Sequence, residues 1–175
     1  MKIGLLSDTH GYLDPKVERF FKDCDEVWHC GDIGDVTITD RLAASFNLRA
    51  VYGNIDGGEV RRMFPEKMIV GVRGNCDFGS LLPWEEELSV EGKKIFFTHG
   101  YTYQVKMTLY NLECAARDRK ADIALYGHTH QAEIEYRDGL YLMNPGSLHG
   151  SYGTYGIIDI TPAGLVPNIV KNYRD

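Results

Sequence analysis

The alternation of short apolar runs with amphipathic stretches over the first 67 residues constrains the fold most. A continuous apolar run at residues 3–7 predicts a strand that is covered on both faces. Asp14 and Pro15 predict the start of a helix, as N-cap and first helical residue. Its apolar stripe consists of Val17, Phe20, Phe21 and Cys24. Strands at 26–30 and 48–52 with a helix at 39–46 complete a βαβαβ order, which implies a parallel sheet with right-handed crossovers.

The later part of the chain favours antiparallel pairing. A hairpin is predicted at Glu91-Gly92, which is flanked by apolar runs at 88–90 and 95–97. A type I′ hairpin is predicted at Asp138-Gly139, which is flanked by runs at 134–136 and 140–142. A long helix is expected over 103–119, with Val105, Leu109, Leu112 and Ala116 on one face. Strands are expected at 123–126, 156–160 and 165–170. Residues 1–175 thus read as one mixed α/β domain.

Composition narrows the class of partner. The 175 residues carry 25 acidic and 19 basic side chains, a net charge of −6, which argues against a nucleic-acid partner. No apolar stretch approaches the length of a membrane span. The four cysteines (Cys24, Cys30, Cys76 and Cys114) form no C-x-x-C pair, so we expect buried thiols in a reducing, cytoplasmic setting.

One hexapeptide occurs twice. Residues 51–56 read VYGNID and residues 72–77 read VRGNCD, 21 positions later. A repeat this short does not indicate a solenoid, because such folds need several stacked units. A local duplication, or a junction between two related sequences, accounts for it better.

Polar side chains cluster where the predicted strands end. These side chains are Asp8, His10, Asp32, Asn54, His99, His128 and His130. In α/β sheets, ligands bind at the carboxyl ends of the strands, so these positions are expected to form one site. His29 and His149 have no comparable partners in the sequence and are interpreted as structural.

The residue types and spacing indicate metal binding. In an extended segment, residues i and i+2 face the same way, so Asp8 with His10 and His128 with His130 could each direct two ligands at one point. Imidazole, carboxylate and amide donors suit manganese, iron or zinc better than calcium or magnesium. Seven ligands are too many for one ion and fit two ions that share a carboxylate.

The ordered set D-x-H, G-D, G-N, H-G and G-H-x-H resembles the calcineurin-like metallophosphoesterases. The chain length and the run Asn144-Pro145-Gly146-Ser147 resemble the short YfcE-type phosphodiesterases of that family. The resemblance implies an α/β fold, a four-layer αββα sandwich of two mixed β-sheets flanked by helices. It also implies that Asp8, His10, Asp32 and His130 hold a first ion. Asp32 would bridge to a second ion, held also by His99, His128 and an asparagine.

The chain departs from the family where a histidine often follows Gly-Asn and protonates the leaving group. Here that position holds Ile55 in one copy and Cys76 in the other. Isoleucine carries no transferable proton, and Cys76 is at best a weak catalytic acid. The departure favours substrates with good leaving groups, such as aryl or nucleotide-type phosphodiesters.

Either asparagine of the repeat could be the amide ligand. Asn54 lies 22 residues after Asp32, which is enough for one helix and one strand, whereas Asn75 lies 24 residues before His99. The complete βαβ crossover slightly favours Asn54 as ligand, with Asn75 in a turn at the rim. The ligand asparagine could also bind the substrate by donating its amide N–H to a phosphate oxygen.

The expected function is therefore hydrolysis of a small phosphodiester through a hydroxide that bridges two divalent metal ions, manganese foremost, with iron, zinc or nickel as alternatives. A non-catalytic scaffold is the rival interpretation, because a retromer subunit of similar fold is a protein-binding platform. A nuclease and a purely structural metal protein are further alternatives. The sequence is also compatible with a homo-oligomer.

Overall fold

The structure is a computed structural model and describes residues 1–51, 53, 55, 85–149 and 152–173. The strands are β1 (Lys2–Leu6), β2 (Glu26–His29), β3 (Leu48–Ala50), β4 (Glu85–Val90), β5 (Lys93–Thr98), β6 (Ile123–Leu125), β7 (Ala132–Arg137), β8 (Leu140–Pro145), β9 (Tyr152–Thr161) and β10 (Gly164–Tyr173). The helices are α1 (Lys16–Phe20), α2 (Val36–Ser45) and α3 (Tyr110–Asp118), with a 3-10 helix at Tyr101–Tyr103. No helix in these ranges is long and apolar enough to cross a membrane.

These strands form two five-stranded mixed sheets. The first has the order β10-β9-β1-β2-β3, with β1, β2 and β3 parallel as the βαβαβ pattern predicts. The second has the order β4-β5-β6-β8-β7, with β5, β6 and β8 parallel. The expectation of mainly antiparallel pairing late in the chain was therefore incomplete. The sequence shows the two hairpins but not the crossovers that place β5, β6 and β8 side by side.

The two sheets pack face to face over an apolar core. Ile3 and Trp28 from the first sheet share this core with Phe97 and Leu125 from the second. The rings of Trp28 and Phe97 lie 5.8 Å apart across the interface. Because residues from both sheets bury the same apolar surface, this core holds the two sheets face to face.

Helices cover the outer face of each sheet. Val17 of α1 and Leu42 of α2 pack on the first sheet, and Leu112 of α3 packs on the second. The predicted four-layer αββα sandwich is confirmed by this arrangement.

Aspartate side chains accept backbone N–H groups at the starts of the first two helices, and only the role of Asp14 was predicted. Both helices have other boundaries than expected. The carboxylate of Asp14 accepts the backbone N–H of Lys16 at 2.8 Å, although the helix that follows has only five residues. Helix α2 begins at Val36, three residues earlier than expected. The cause is Asp35, whose side chain accepts the N–H of Thr37 at 2.8 Å and thereby caps the helix.

The prediction of a continuous helix over 103–119 is wrong. Gln104 has a left-handed backbone (φ 54°), which ends the 3-10 helix, and α3 starts only at Tyr110. Val105 nevertheless joins the same buried cluster as Leu112 and Ala116. The apolar spacing therefore predicts burial correctly, but the chain achieves it through a turn.

Local predictions at the turns and thiols have mixed outcomes. Asp138 (φ 45°) and Gly139 (φ 90°) both have positive φ, which confirms the type I′ turn. Cys30 is buried as expected, whereas Cys114 is exposed because it lies on the solvent face of α3. Most of the hexapeptide repeat lies outside the described residues.

The close contact between β1 and α1 gives a stability prediction. A Cβ at Gly4 would lie 2.6 Å from the buried ring of Phe21, so Gly4→Ala should lower the free energy of unfolding by about 1–3 kcal/mol. Gly164→Ala is the matched control, because no described atom lies within 4 Å of its added methyl group. Urea unfolding should show a change within about 0.5 kcal/mol for the control. Equal losses in both variants would contradict the packing described.

Candidate metal centre

The predicted ligands follow the parallel strands of both sheets. Asp8 lies two residues beyond β1, and Asp32 lies three residues beyond β2. In the second sheet, His99 directly follows β5 and His128 lies three residues beyond β6. Because the two sheets face each other, the loops at these four strand ends meet at one edge of the sandwich.

Four of the predicted ligands converge on one point. Asp8, His10, Asp32 and His130 each offer a donor atom, and these atoms all lie within 4.8 Å of one another. The Nε2 atoms of His10 and His130 are 3.2 Å apart. Oδ1 of Asp8 lies 3.1 Å from Nε2 of His130 and 3.9 Å from Nε2 of His10. Two imidazole nitrogens facing one carboxylate oxygen are donors that could hold a cation.

The carboxylate of Asp8 is half satisfied. Its Oδ2 accepts hydrogen bonds from the Ser7 hydroxyl at 2.5 Å and from the backbone N–H of His128 at 3.2 Å. Its Oδ1 is buried and accepts no hydrogen bond from the described residues, since the contact with His130 lacks hydrogen-bond geometry. An unsatisfied buried carboxylate oxygen is costly. A divalent cation at this point would satisfy it, so the residues present fit a metal ion.

A second pair of histidines lies near Asp32. Nε2 of His99 is 3.6 Å from Oδ1 of Asp32, and the rings of His99 and His128 are 5.1 Å apart. Asp32 therefore belongs to the four-residue cluster and also lies close to one member of this histidine pair.

The tautomer of His99 follows from its neighbour. Its Nδ1 lies 3.0 Å from the carbonyl oxygen of Cys30, and a carbonyl can only accept a hydrogen bond. In the neutral ring, Nδ1 therefore carries the proton, and Nε2 presents its lone pair on the side of Asp32. Backbone carbonyls orient metal-binding histidines in this way.

The backbone explains why the ligand pairs converge. Five predicted ligands have a left-handed backbone, with φ between 47° and 69°: Asp8, His10, Asp32, His128 and His130. The expectation that D-x-H and H-x-H are extended is therefore wrong, and left-handed turns direct these side chains instead. Such conformations are unfavourable for residues other than glycine and cluster at functional sites.

The Gly-Asn motif after β3 is only partly described. A side chain at Gly53 would collide with the carboxylate of Asp32, and the N–H of Ile55 donates to Oδ1 of Asp32 at 3.1 Å. Asn54, Asn75 and Cys76 lie outside the described residues. The apolar side chain of Ile55 is 43% exposed.

The charges of the cluster favour cation binding. Burial raises the pKa of Asp8, but the contact with His130 and the charge of His99 outweigh burial and hold it below its ordinary value. Burial and the neighbouring His99 lower the pKa of His128 to about 4. At neutral pH, Asp8 is therefore ionised and His128 is neutral, the states in which both could bind a metal ion. The contact with Asp8 raises the pKa of His130, so a metal ion would compete with a proton for that ring.

Comparison with known proteins identifies the family. The calcineurin-like phosphoesterase superfamily domain matches residues 1–162. The chain belongs to this superfamily. It is 32% identical to a phosphodiesterase of Methanocaldococcus jannaschii, over 100% of this chain and 98% of that protein. It is also 32% identical to phosphodiesterase YfcE of Escherichia coli, over 91% of this chain and 88% of that protein.

The fold extends to more distant structures. Vps29 of Chaetomium thermophilum superposes with a TM-score of 0.73 over 98% of this chain and 96% of its own, at 18% identity. This likeness shows the shared fold alone. The resemblance of the sequence to calcineurin-like phosphoesterases of the YfcE type is confirmed by the two closer relatives.

Sequence reasoning missed one residue beside the site of this phosphoesterase. The ring of His149 lies 6.0 Å from that of His10, and both line a cavity of about 450 Å³ with His130 and Ser147. Ser147 donates to the backbone oxygen of Asp8 at 2.6 Å. The sequence offers no signal for this, because His149 reaches the site only through the parallel pairing of β8 with β6.

Hydrogen bonds of the buried His29 stabilise the loops that carry the predicted ligands. The N–H of Gly31 donates to its Nδ1 at 3.2 Å, so Nε2 carries the proton and donates to the Thr9 hydroxyl at 3.0 Å. That hydroxyl donates in turn to the carbonyl of Ile33 at 2.9 Å. This chain of bonds ties together the loops that carry Asp8 and Asp32, in agreement with the structural role expected for His29.

The buried His29 makes stability depend on pH. Burial lowers its pKa to about 3, from an ordinary 6.5, so the unfolded chain binds one more proton between these values. The contribution of the neutral His29 to the free energy of unfolding is complete above pH 6.5 and is lost as the pH falls toward 3. The wild type should lose up to about 1.4 kcal/mol of unfolding free energy per pH unit relative to His29→Gln.

Urea unfolding of both proteins between pH 7 and pH 4, with a chelator present, measures this difference in slope. The chelator separates the effect from metal release. Parallel pH profiles for wild type and variant would contradict a neutral buried His29.

Proposed function

We propose that this phosphoesterase is a metal-dependent phosphodiesterase with two divalent ions, manganese foremost, and iron, zinc or nickel as alternatives. The observation that carries the proposal is the buried Oδ1 of Asp8, which points into a cluster of imidazoles without a hydrogen bond from the described residues. Mixed carboxylate and imidazole donors suit these metals.

The donors divide into two sets that share Asp32. Asp8, His10 and His130 would hold the first ion with Asp32, because these four donors lie within 4.8 Å of one another. His99 and His128 would hold the second ion with Asp32 and one asparagine amide. Gly53 and Ile55, the sequence neighbours of Asn54, contact Asp32, which favours Asn54 over Asn75.

Bound divalent ions at a site of this kind lower the pKa of a coordinated water and neutralise charge on the phosphate. The residues of the chain prepare the site for them. Ser7 and the backbone of His128 fix one oxygen of Asp8, so that the other faces the cluster. The carbonyl of Cys30 fixes the ring of His99. The amide of the ligand asparagine would also bind a phosphate oxygen.

The substrate class follows from the residue after Gly-Asn. Ile55 has no proton to give to a leaving group. Phosphodiesters whose leaving groups need little protonation, such as aryl or nucleotide-type esters, therefore suit the site best. Cys76 is at most a weak substitute as a catalytic acid, since a thiol is a weak hydrogen-bond donor.

The rival functions have less support. A non-catalytic scaffold is disfavoured because the two relatives at 32% identity are named phosphodiesterases. A nuclease would be expected to carry a basic surface, whereas this chain has a net charge of −6. The free thiols of Cys24, Cys30 and Cys114 are consistent with the proposed cytoplasmic location.

Metal-dependent turnover tests the proposal directly. Chelated and dialysed protein should hydrolyse bis-p-nitrophenyl phosphate only after addition of Mn²⁺. His128→Ala should lower this rate by at least about a hundredfold, because it removes a ligand. Gln131→Ala, an exposed position in the same loop, is the control and should retain activity. Turnover without metal, or an active His128→Ala protein, would reject the proposal.

The number of metal ions bound by two variants shows which asparagine is the ligand. Asn54→Ala should reduce bound Mn²⁺ from two ions per chain toward one and should lower turnover. Asn75→Ala, the matched variant in the second copy of the motif, should retain both. Inductively coupled plasma analysis after gel filtration gives the stoichiometry. The reverse result would assign the ligand to Asn75, and two ions retained in both variants would exclude both residues.

A further inference from the structure

A second cavity opens beside the metal centre, on the side of His128. It has a volume of about 500 Å³ and is lined by Tyr101, Thr102, Gln104, Lys106, Met107 and His128. The rings of Tyr101 and His128 meet edge to face with centroids 5.4 Å apart. His128 lines this cavity and is also a proposed ligand of the second ion, so the cavity adjoins the proposed reaction site.

The cavity presents apolar surface to solvent. Met107 is 84% exposed and Tyr101 is 46% exposed. Exposed apolar side chains are common one at a time, but two that line the same cavity next to a functional site indicate ligand contact.

The backbone holds this wall in place. Gly100 has φ 96°, and a Cβ there would lie 2.9 Å from the buried side chain of Val105. The ring of Tyr103 packs edge to face on Phe96 at 5.7 Å, and its hydroxyl donates to Glu85. These contacts of Tyr103 hold the segment that carries Tyr101, one residue of this wall.

Lys106 adds a positive charge at the mouth of the cavity. Beyond the effects of burial and of His99, its charge contributes to the low pKa of His128, in keeping with a position near the site. An apolar wall with one cation matches an anionic phosphate that carries an aromatic group. Among the described residues, the cavity lined by His10, His130, Ala132, Ser147, His149 and Thr154 has no exposed large apolar side chain in its wall.

We propose that this aromatic cavity, lined by Tyr101, Lys106, Met107 and His128, binds an aromatic or heteroaromatic ester group of the phosphodiester. Tyr101 and Met107 contact the ring, and Lys106 attracts the anionic phosphate toward the metal centre. The inference rests on the proposed function, because it assigns a subsite for the substrate of that same centre.

Binding of two phosphonates tests the subsite without requiring turnover. Calorimetric titration of the Mn²⁺-loaded protein should show tighter binding of phenylphosphonate than of methylphosphonate, by roughly tenfold. Tyr101→Ala and Met107→Ala should each remove most of this preference and leave methylphosphonate affinity unchanged. Lys106→Met should weaken both phosphonates by a similar factor, and more at low salt. Tyr136→Ala, which removes an exposed tyrosine that does not line the cavity, is the control and should keep the preference.

The outcomes distinguish the two proposals. Equal affinities for the two phosphonates in wild type, or equal losses for both in Tyr101→Ala and Met107→Ala, would overturn the subsite even if Mn²⁺-dependent hydrolysis is observed. A phenyl preference that depends on Tyr101 and Met107 supports the subsite, and absence of hydrolysis alongside it would count against the proposed function alone. Because Met107 is largely exposed, its variant should fold normally, and circular dichroism checks this.

Discussion

The buried carboxylate of Asp8 is the constraint around which the rest of the site is arranged. Its Oδ2 is bound by Ser7 and by the backbone of His128, and its backbone oxygen is bound by Ser147. Asp8 therefore joins loops that follow β1, β6 and β8, which belong to two different sheets. The remaining oxygen, Oδ1, is left facing His10 and His130. Burying this charge in a protein interior is unfavourable unless a cation or protonated partner compensates. The site therefore favours a positive charge beside Oδ1, and the raised pKa of His130 reflects the same preference.

The layered fold provides the geometry that this constraint requires. A single parallel sheet would bring Asp8 and Asp32 together, but it would leave one side of the cluster open. The second sheet packs on the first through residues such as Trp28 and Phe97 and delivers His99 and His128 from the facing edge. The apolar core between the sheets therefore does more than stabilise the fold. It fixes the distance between ligands that come from separate halves of the chain.

Much of this could be predicted from the sequence, because strand ends and ligand chemistry are local signals. The run 3–7 followed by Asp8 and His10 shows both the strand and the donors. What could not be predicted depends on long-range packing. The parallel position of β8 beside β6 places His149 at the site, and no local pattern shows that pairing. The left-handed backbones of Asp8, His10, Asp32, His128 and His130 were missed for a related reason, since tertiary contacts impose them against local preference.

The broken helix between 103 and 119 shows where local and global preferences conflict. The spacing of Val105, Leu112 and Ala116 favours one amphipathic helix, and all three residues are buried in one cluster. A continuous helix over 103–119 would place Met107 on a regular helical surface. The left-handed turn at Gln104 instead keeps Val105 in the core while Tyr101 stays against His128. Departures from local preference tend to occur where function requires a particular shape. The turn that defeats the helical pattern is also the one that forms the apolar wall beside the metal centre.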